Sequence, residues 1–426
     1  MRRACGAIRV AAATTSVWST TADANRAGGV RRPEAIHQTH TVNTAPWPPG
    51  TATGIGSLPG TDPVEAAATV LGELPDLPHL PELPARGLGA DILGRTAALL
   101  VDLAFELVPS GYRVAARPGL DYRRSTDLIR RDLDAIEEAV ERLGTPPPVV
   151  KVQLAGPWTL TSGLELPRGH RVLTDYGALR EFTESLSEGL SRHVAEVRRR
   201  LGTEVVVQLD EPSLPTVLAG AVPTPSGYGT VRAVAEPEAR DVLSAVIDAA
   251  KKATGQPVVV HCCAPKPPFG LLAAAGAGAI AFDVPLLGKV GAATLDAIGE
   301  VWDAGTVLFL GVVPSTDPGR VPSTDPGRAL SADPGRASGT DPGRGSGADP
   351  RRAPGSGPGG LAALREVATP AFRLADQLGF NRSVLAERAV ATPTCGLAGA
   401  SEPWARRAMS LVRDVGKAFA EPPEGW

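Results

Sequence analysis

Three stretches of the sequence end in residues that can ligate a borderline metal such as zinc. VVVHCC puts His261, Cys262 and Cys263 at the end of a β-branched run, AIAFD ends in Asp283, and AVATPTC ends in Cys395. Imidazole, thiolate and carboxylate are zinc-ligand types, and a set drawn from three separate stretches needs a fold that brings their ends to one place. Residues two apart on an extended strand share a face, and neighbours oppose each other. His261 and Cys263 therefore share a side, and Cys262 points away. Singly, each residue has a plainer role, since a buried cysteine is a small hydrophobe and a histidine can be a bonded member of the core. Taken jointly, the three segment ends favour a metal site. Two further segments end in polar groups: TATGIGS in Ser57, and VVVQLDEP in Asp210 and Glu211 before Pro212. The two acids either bind a ligand or cap the following helix, and Ser57 either binds a ligand or shapes a glycine-rich turn.

The elements that must position these residues alternate short apolar runs with amphipathic helical stretches, the pattern of repeated βα units around a parallel sheet. Eight candidate strands end at Ser57, Ala85, Gly156, Asp210, Cys263, Asp283, Val313 and Cys395. The second, HLPELPA, is the weakest, because Pro78, Pro81 and Pro84 oppose regular ladder bonding. Helices are expected around residues 91 to 108, 126 to 143, 175 to 201, 235 to 253, 290 to 304, 361 to 379 and 402 to 420. The fold class is α/β, a TIM-type (β/α)8 barrel, whose reactive groups gather at the carboxyl ends of its strands.

Composition agrees with one such barrel. The chain has 426 residues, 43% hydrophobic and 21% charged, enough apolar material for one large core. A net charge of -3 supplies no basic field for nucleic acid or anionic lipid, and no run approaches the ~20 apolar residues of a membrane span. Four cysteines, two of them adjacent, make no disulfide framework, which suggests a reducing, cytoplasmic setting. Residues 1–45, rich in Ala, Thr, Arg and Gly, read as a disordered extension, and residues 46–426 as the catalytic barrel. An eight-residue repeat of the form STDPGRVP, STDPGRAL, SADPGRAS marks a low-complexity insertion at about 315–358. Turn formers dominate it and almost nothing in it can be buried, so a surface loop is expected, one that costs a barrel little.

The motifs together resemble those of the cobalamin-independent methionine synthase family. His261 and Cys263 stand as its HxC pair, Asp283 as its acidic ligand, Cys395–Leu397 as its CGL segment, Asp210–Pro212 as its DEP segment and Ile55–Ser57, within GIGSLP, as its IGS segment. The resemblance runs from about residue 50 to the end of the sequence. It implies a barrel also shared with uroporphyrinogen decarboxylase, and Zn2+ held by His261, Cys263, Asp283 and Cys395. It further implies homocysteine seated against Ile55, Gly56, Ser57 and Asp210, with Glu211 adjacent, and a methyl donor that is 5-methyltetrahydrofolate or a methylated corrinoid protein.

Some positions depart from the family. Asp283 replaces a glutamate and is one methylene shorter, a histidine of the longer enzymes has no match in residues 311 to 318, and their glutamate contact to the substrate amine has no clear counterpart. The large amino-terminal barrel of those enzymes also finds no room here, so the compact single-barrel members are the nearer comparison. Open alternatives are another acceptor thiol, a metal-free decarboxylase-like barrel, and a non-catalytic protein with structural zinc.

Overall fold

Alternate residues of the β-branched runs enter two different cores. Val150, Val152, Leu154, Val205, Val207 and Leu209 join the large core beneath the helices, whereas Val149, Val206, Val259, Ala279, Val307, Phe309 and Val390 fill a second, inner one. This is the period-2 signature of strands buried on both faces, as closed parallel sheets require. The computed structural model describes residues 45–288, 291–318, 358–423 and 426. All of these belong to one compact unit, Asn43–Trp426.

The strands in chain order are β1 (Ala104–Val108), β2 (Gly111–Ala115), β3 (Val149–Ala155), β4 (Leu164–Glu165), β5 (Glu204–Asp210), β6 (Val259–His261), β7 (Ala279–Asp283), β8 (Val307–Val313) and β9 (Ala389–Pro393). A six-stranded parallel sheet runs in the order β3-β5-β6-β7-β8-β9. Two irregular extended segments close it into a ring. Thr53 N donates to Ala391 O (3.0 Å) and Ala391 N to Thr51 O (3.2 Å), which lays residues 51–57 along β9. Glu82 N donates to Gly56 O (3.1 Å) and Leu58 N to Glu82 O (2.8 Å), and Leu80 N donates to Lys151 O (2.9 Å), so residues 79–82 bridge to β3. The result is the expected TIM-type barrel, with the proline-rich second segment contributing bridges rather than a regular strand. Trp47 plugs the inner core, meeting Phe309 edge-on at 5.5 Å.

Most helices fall where the periodicity predicts. The longest, Tyr176–Leu201, starts where Asp175 accepts from Ala178 N and stops at Gly202, whose φ of 63° few other residues adopt readily. One expectation fails: the stretch 91 to 108 is helical only over Ile92–Leu99, then turns into the antiparallel β1–β2 hairpin, with β4 added in parallel to β2. Pro109 and Ser110 supply its turn, Gly111 opens β2, and Glu106 between Phe105 and Leu107 is a short strand signal that a helical reading of the stretch passes over. The expected extension 1–45 and the repeat insertion 315–358 lie almost wholly outside the described residues. Among the described residues no helix is long and apolar enough to cross a membrane.

Candidate metal centre and substrate pocket

Strand register builds the site. Gln208 and Asp210 on β5 face the barrel interior, two residues apart, and Asp210 is the in-register neighbour of His261 on β6. The pairing places the Asp210 carboxylate against the imidazole, with Oδ1 2.8 Å from His261 Nδ1. His261 is buried, and its other ring nitrogen, Nε2, has no hydrogen-bond partner. A buried polar atom left bare costs roughly 1–3 kcal/mol unless something binds it.

What lies near it are sulfurs. Cys263, two residues past His261, and Cys395, two past the end of β9, bring their Sγ atoms to 3.4 Å. One ligand atom from each of His261, Cys263 and Cys395 fits within 4.8 Å of the others. Two sulfurs at about 2.3 Å from a tetrahedral ion stand about 3.8 Å apart, so this trio could close on a metal with little movement. The hydrogen bond with Cys263 pulls the Cys395 thiol down to about 6 against burial, and the same bond and burial push Cys263 up. The opposite directions are those of two neighbouring thiols that share one proton. Cys262 is fully buried and outside the group, and burial raises its thiol to about 12.

Asp283 stands outside the trio. Its Oδ1 accepts from Leu286 N (3.0 Å) and caps the short helix Val284–Leu287 that follows β7. The carboxyl is pushed up by burial, a shift opposed by that hydrogen bond and by the field of His261. The shorter side chain has found a partner near its own backbone, the habit that makes aspartate a good cap.

Ser57 sits beside the Cys395 loop. Leu397 N donates to Ser57 O (2.8 Å), and a Cβ on Gly396 would stand 2.1 Å from Ser57 Oγ, so only glycine lets the hydroxyl lie there. The Ile55 carbonyl points inward and accepts from Lys151 Nζ (3.0 Å) and Gln208 Nε2 (2.9 Å), while Gly56 contributes its carbonyl to Glu82 N. Glu211 does not face this pocket. Its Oε1 accepts from Trp158 N (2.9 Å) and its Oε2 from Thr159 N and Oγ1 (2.8 Å each), which caps the helix Pro157–Gly163 after β3. The capped helix belongs to the neighbouring strand rather than to β5 itself. Burial raises Glu211 to about 7 even so.

Several polar groups around the site were not singled out from the sequence. Lys151 on β3 is fully buried, with Gln208 Oε1 at 2.8 Å and Gln153 Oε1 at 3.4 Å. Glu82 is buried, raised to about 7 by burial and close enough to feel both Arg95 and Asp210. Its Oε1 lies 3.5 Å from Arg95 Nε, and Arg95 is in turn salt-bridged to Asp132. The lone lysine in VVKVQLAG, in phase with the inward face, was the available signal.

Comparison with known proteins bears on the same region. Residues 50–332 match the family described as cobalamin-independent synthase, catalytic domain, and Cys395 lies beyond that match. No curated protein matches the chain significantly. Among solved structures, a B12-independent methionine synthase from Shewanella sp. W3-18-1 is similar at 13% identity and a TM-score of 0.45, over 86% of this chain and 96% of that one. A methyltransferase from Methanosarcina mazei is similar at 14% identity and a TM-score of 0.42, over 87% and 93%. With well over half its length matched, the chain belongs to the cobalamin-independent synthase catalytic-domain family.

Proposed function

We propose that the chain is a zinc-dependent methyltransferase that moves a methyl group to the thiol of homocysteine, forming methionine. The donor is 5-methyltetrahydrofolate or a methylated corrinoid protein, and the first suits a cobalamin-independent family. The observation that carries this reading is the bare, buried Nε2 of His261 beside the Cys263 and Cys395 sulfurs. One nitrogen and two sulfurs leave one tetrahedral position open, the arrangement of a catalytic rather than a closed structural zinc site. Asp283, engaged as a helix cap, leaves that position to the acceptor. A metal-free reading gives no reason for two thiols and an unbonded imidazole nitrogen to converge.

The chemical difficulty is that a thiol of pKa about 8.5 is only a few per cent ionised at neutral pH, a deficit of about 2 kcal/mol. Bound zinc supplies Lewis acidity that offsets this deficit. The chain's own residues do the rest. Asp210 Oδ2 makes no hydrogen bond among the described residues and is left to accept from the substrate ammonium. The Ser57 hydroxyl, which lies against Gly396 in the Cys395 loop, receives the substrate carboxylate. With 5-methyltetrahydrofolate as donor, the N–CH3 bond breaks as the S–CH3 bond forms, the sulfur having lost its proton and the folate nitrogen gaining one.

The test is zinc stoichiometry and methionine formation on the purified chain and on Cys395→Ser. The wild type should hold one zinc per chain and methylate homocysteine, and the variant should lose both. Full zinc and full transfer in Cys395→Ser would defeat the proposal.

A further inference from the structure

The hydrogen bonds below the metal centre run in one direction. A backbone carbonyl can only accept, so the Gln208 side-chain atom facing Ile55 O at 2.9 Å must be the amide nitrogen. The same nitrogen lies 2.7 Å from Asp210 Oδ1. The amide oxygen then faces Lys151 Nζ at 2.8 Å, and Lys151 donates to it and to Ile55 O (3.0 Å). Asp210 Oδ1 thus receives an N–H from below and stands 2.8 Å from His261 Nδ1 on its other side. A carboxylate accepts from both neighbours, which requires the imidazole proton on Nδ1 and leaves Nε2 with its lone pair.

We propose that Lys151 and Gln208 are positioning residues that set the tautomer of His261: they fix the Gln208 amide so that it donates to Asp210, and Asp210 fixes the Nδ1–H form that turns a bare Nε2 to the metal. Lys151 holds the amide from the oxygen side, donating to Gln208 Oε1 (2.8 Å) and to the same Ile55 carbonyl that the amide nitrogen faces, so that a flipped amide would lose both contacts. Burial pulls Lys151 down to about 7, opposed by Asp210 and Glu82. A histidine that binds a metal through one nitrogen commonly has the other held by such an acceptor, and loss of that partner typically weakens metal binding by about 10- to 100-fold. The inference rests on the metal reading only for its purpose; the tautomer itself is a property of the metal-free protein.

The experiment uses the full chain with ring-15N histidine, zinc-free, near pH 7.5, where an ordinary imidazole is mostly neutral. The chain has 6 histidines, and the His261 signals are those that disappear in His261→Gln. The wild type should show a protonated Nδ1 and an unprotonated Nε2. Lys151→Met should shift both signals toward a mixture of tautomers. Gln208→Met keeps the length of the side chain but cannot donate to Asp210, and Lys151 still donates to Ile55 O, so it serves where Lys151→Met does not fold. Both variants should then bind zinc about 10- to 100-fold more weakly than wild type in chelator competition. Wild-type tautomer signals in a folded variant of either kind would overturn the inference. A wild type that shows the Nδ1–H form yet binds no zinc would instead refute the metal reading and leave the relay standing.

Discussion

Asp283→Asn separates a helix cap from a metal ligand. In the structure Asp283 Oδ1 accepts from Leu286 N at 3.0 Å, and the carboxylate lies outside the group formed by His261, Cys263 and Cys395. Asparagine caps about as well as aspartate, so the zinc-free variant should unfold within a few tenths of a kcal/mol of wild type, whereas Asp283→Ala should cost about 1 kcal/mol. If three protein ligands hold the ion, its affinity in Asp283→Asn should stay within about threefold, equivalent to about 0.7 kcal/mol. Loss of a coordinating carboxylate would exceed the 10- to 100-fold typical of an outer-sphere partner, so a drop beyond about 100-fold, or about 3 kcal/mol, marks a ligand. The assay is equilibrium competition with a chromophoric chelator, paired with urea unfolding of the zinc-free proteins. A drop of more than 100-fold with unchanged zinc-free stability would refute the three-ligand reasoning and put Asp283 on the metal.

Other substitutions probe neighbouring parts of the account. Gly396→Ala must displace the Ser57 hydroxyl, because the new Cβ would fall 2.1 Å from it. One hydrogen bond to a charged group is worth about 1.5–3 kcal/mol, so KM for homocysteine should rise about 10- to 100-fold with zinc content unchanged; an unaltered KM would remove Ser57 from the substrate pocket. Glu211→Ala leaves Trp158 N and Thr159 N buried without acceptors, at about 1–3 kcal/mol each, and should lower the unfolding free energy by about 2–6 kcal/mol while zinc binding persists in the folded fraction. Burial raises Glu82 from 4.5 to about 7, so the native state keeps a proton that the unfolded chain releases between those values. Wild-type stability relative to Glu82→Gln should therefore decline as pH rises through that window, with a slope of up to about 1.4 kcal/mol per pH unit, and a difference that is flat in pH would contradict the shift.

Much of the barrel was legible because buried parallel strands write themselves as runs such as VVVQLD and VLFLGVV, and because their ends carry the only histidine–cysteine cluster. Period 2 sufficed to separate Cys263 from Cys262. What the sequence left open were choices made by partners distant along the chain. Glu211 and Asp210 are neighbours in an acidic pair, yet one caps the helix after β3 and the other receives His261, a division set by which face of the strand each occupies. Asp283 could reach inward or back to its own helix, and only the local geometry after β7 shows the second. The hairpin β1–β2 was hidden because apolar residues spaced for a strand also satisfy a helix in so short a window. Lys151 was visible but unread: a lysine in phase with inward valines signals a polar layer inside the barrel.

Zinc-edge X-ray absorption on the purified chain, with and without homocysteine, tests the central claim most directly. The account predicts two sulfur scatterers and one imidazole nitrogen from the protein, and a third sulfur at about 2.3 Å when homocysteine is added. A sulfur shell that homocysteine leaves unchanged would contradict it.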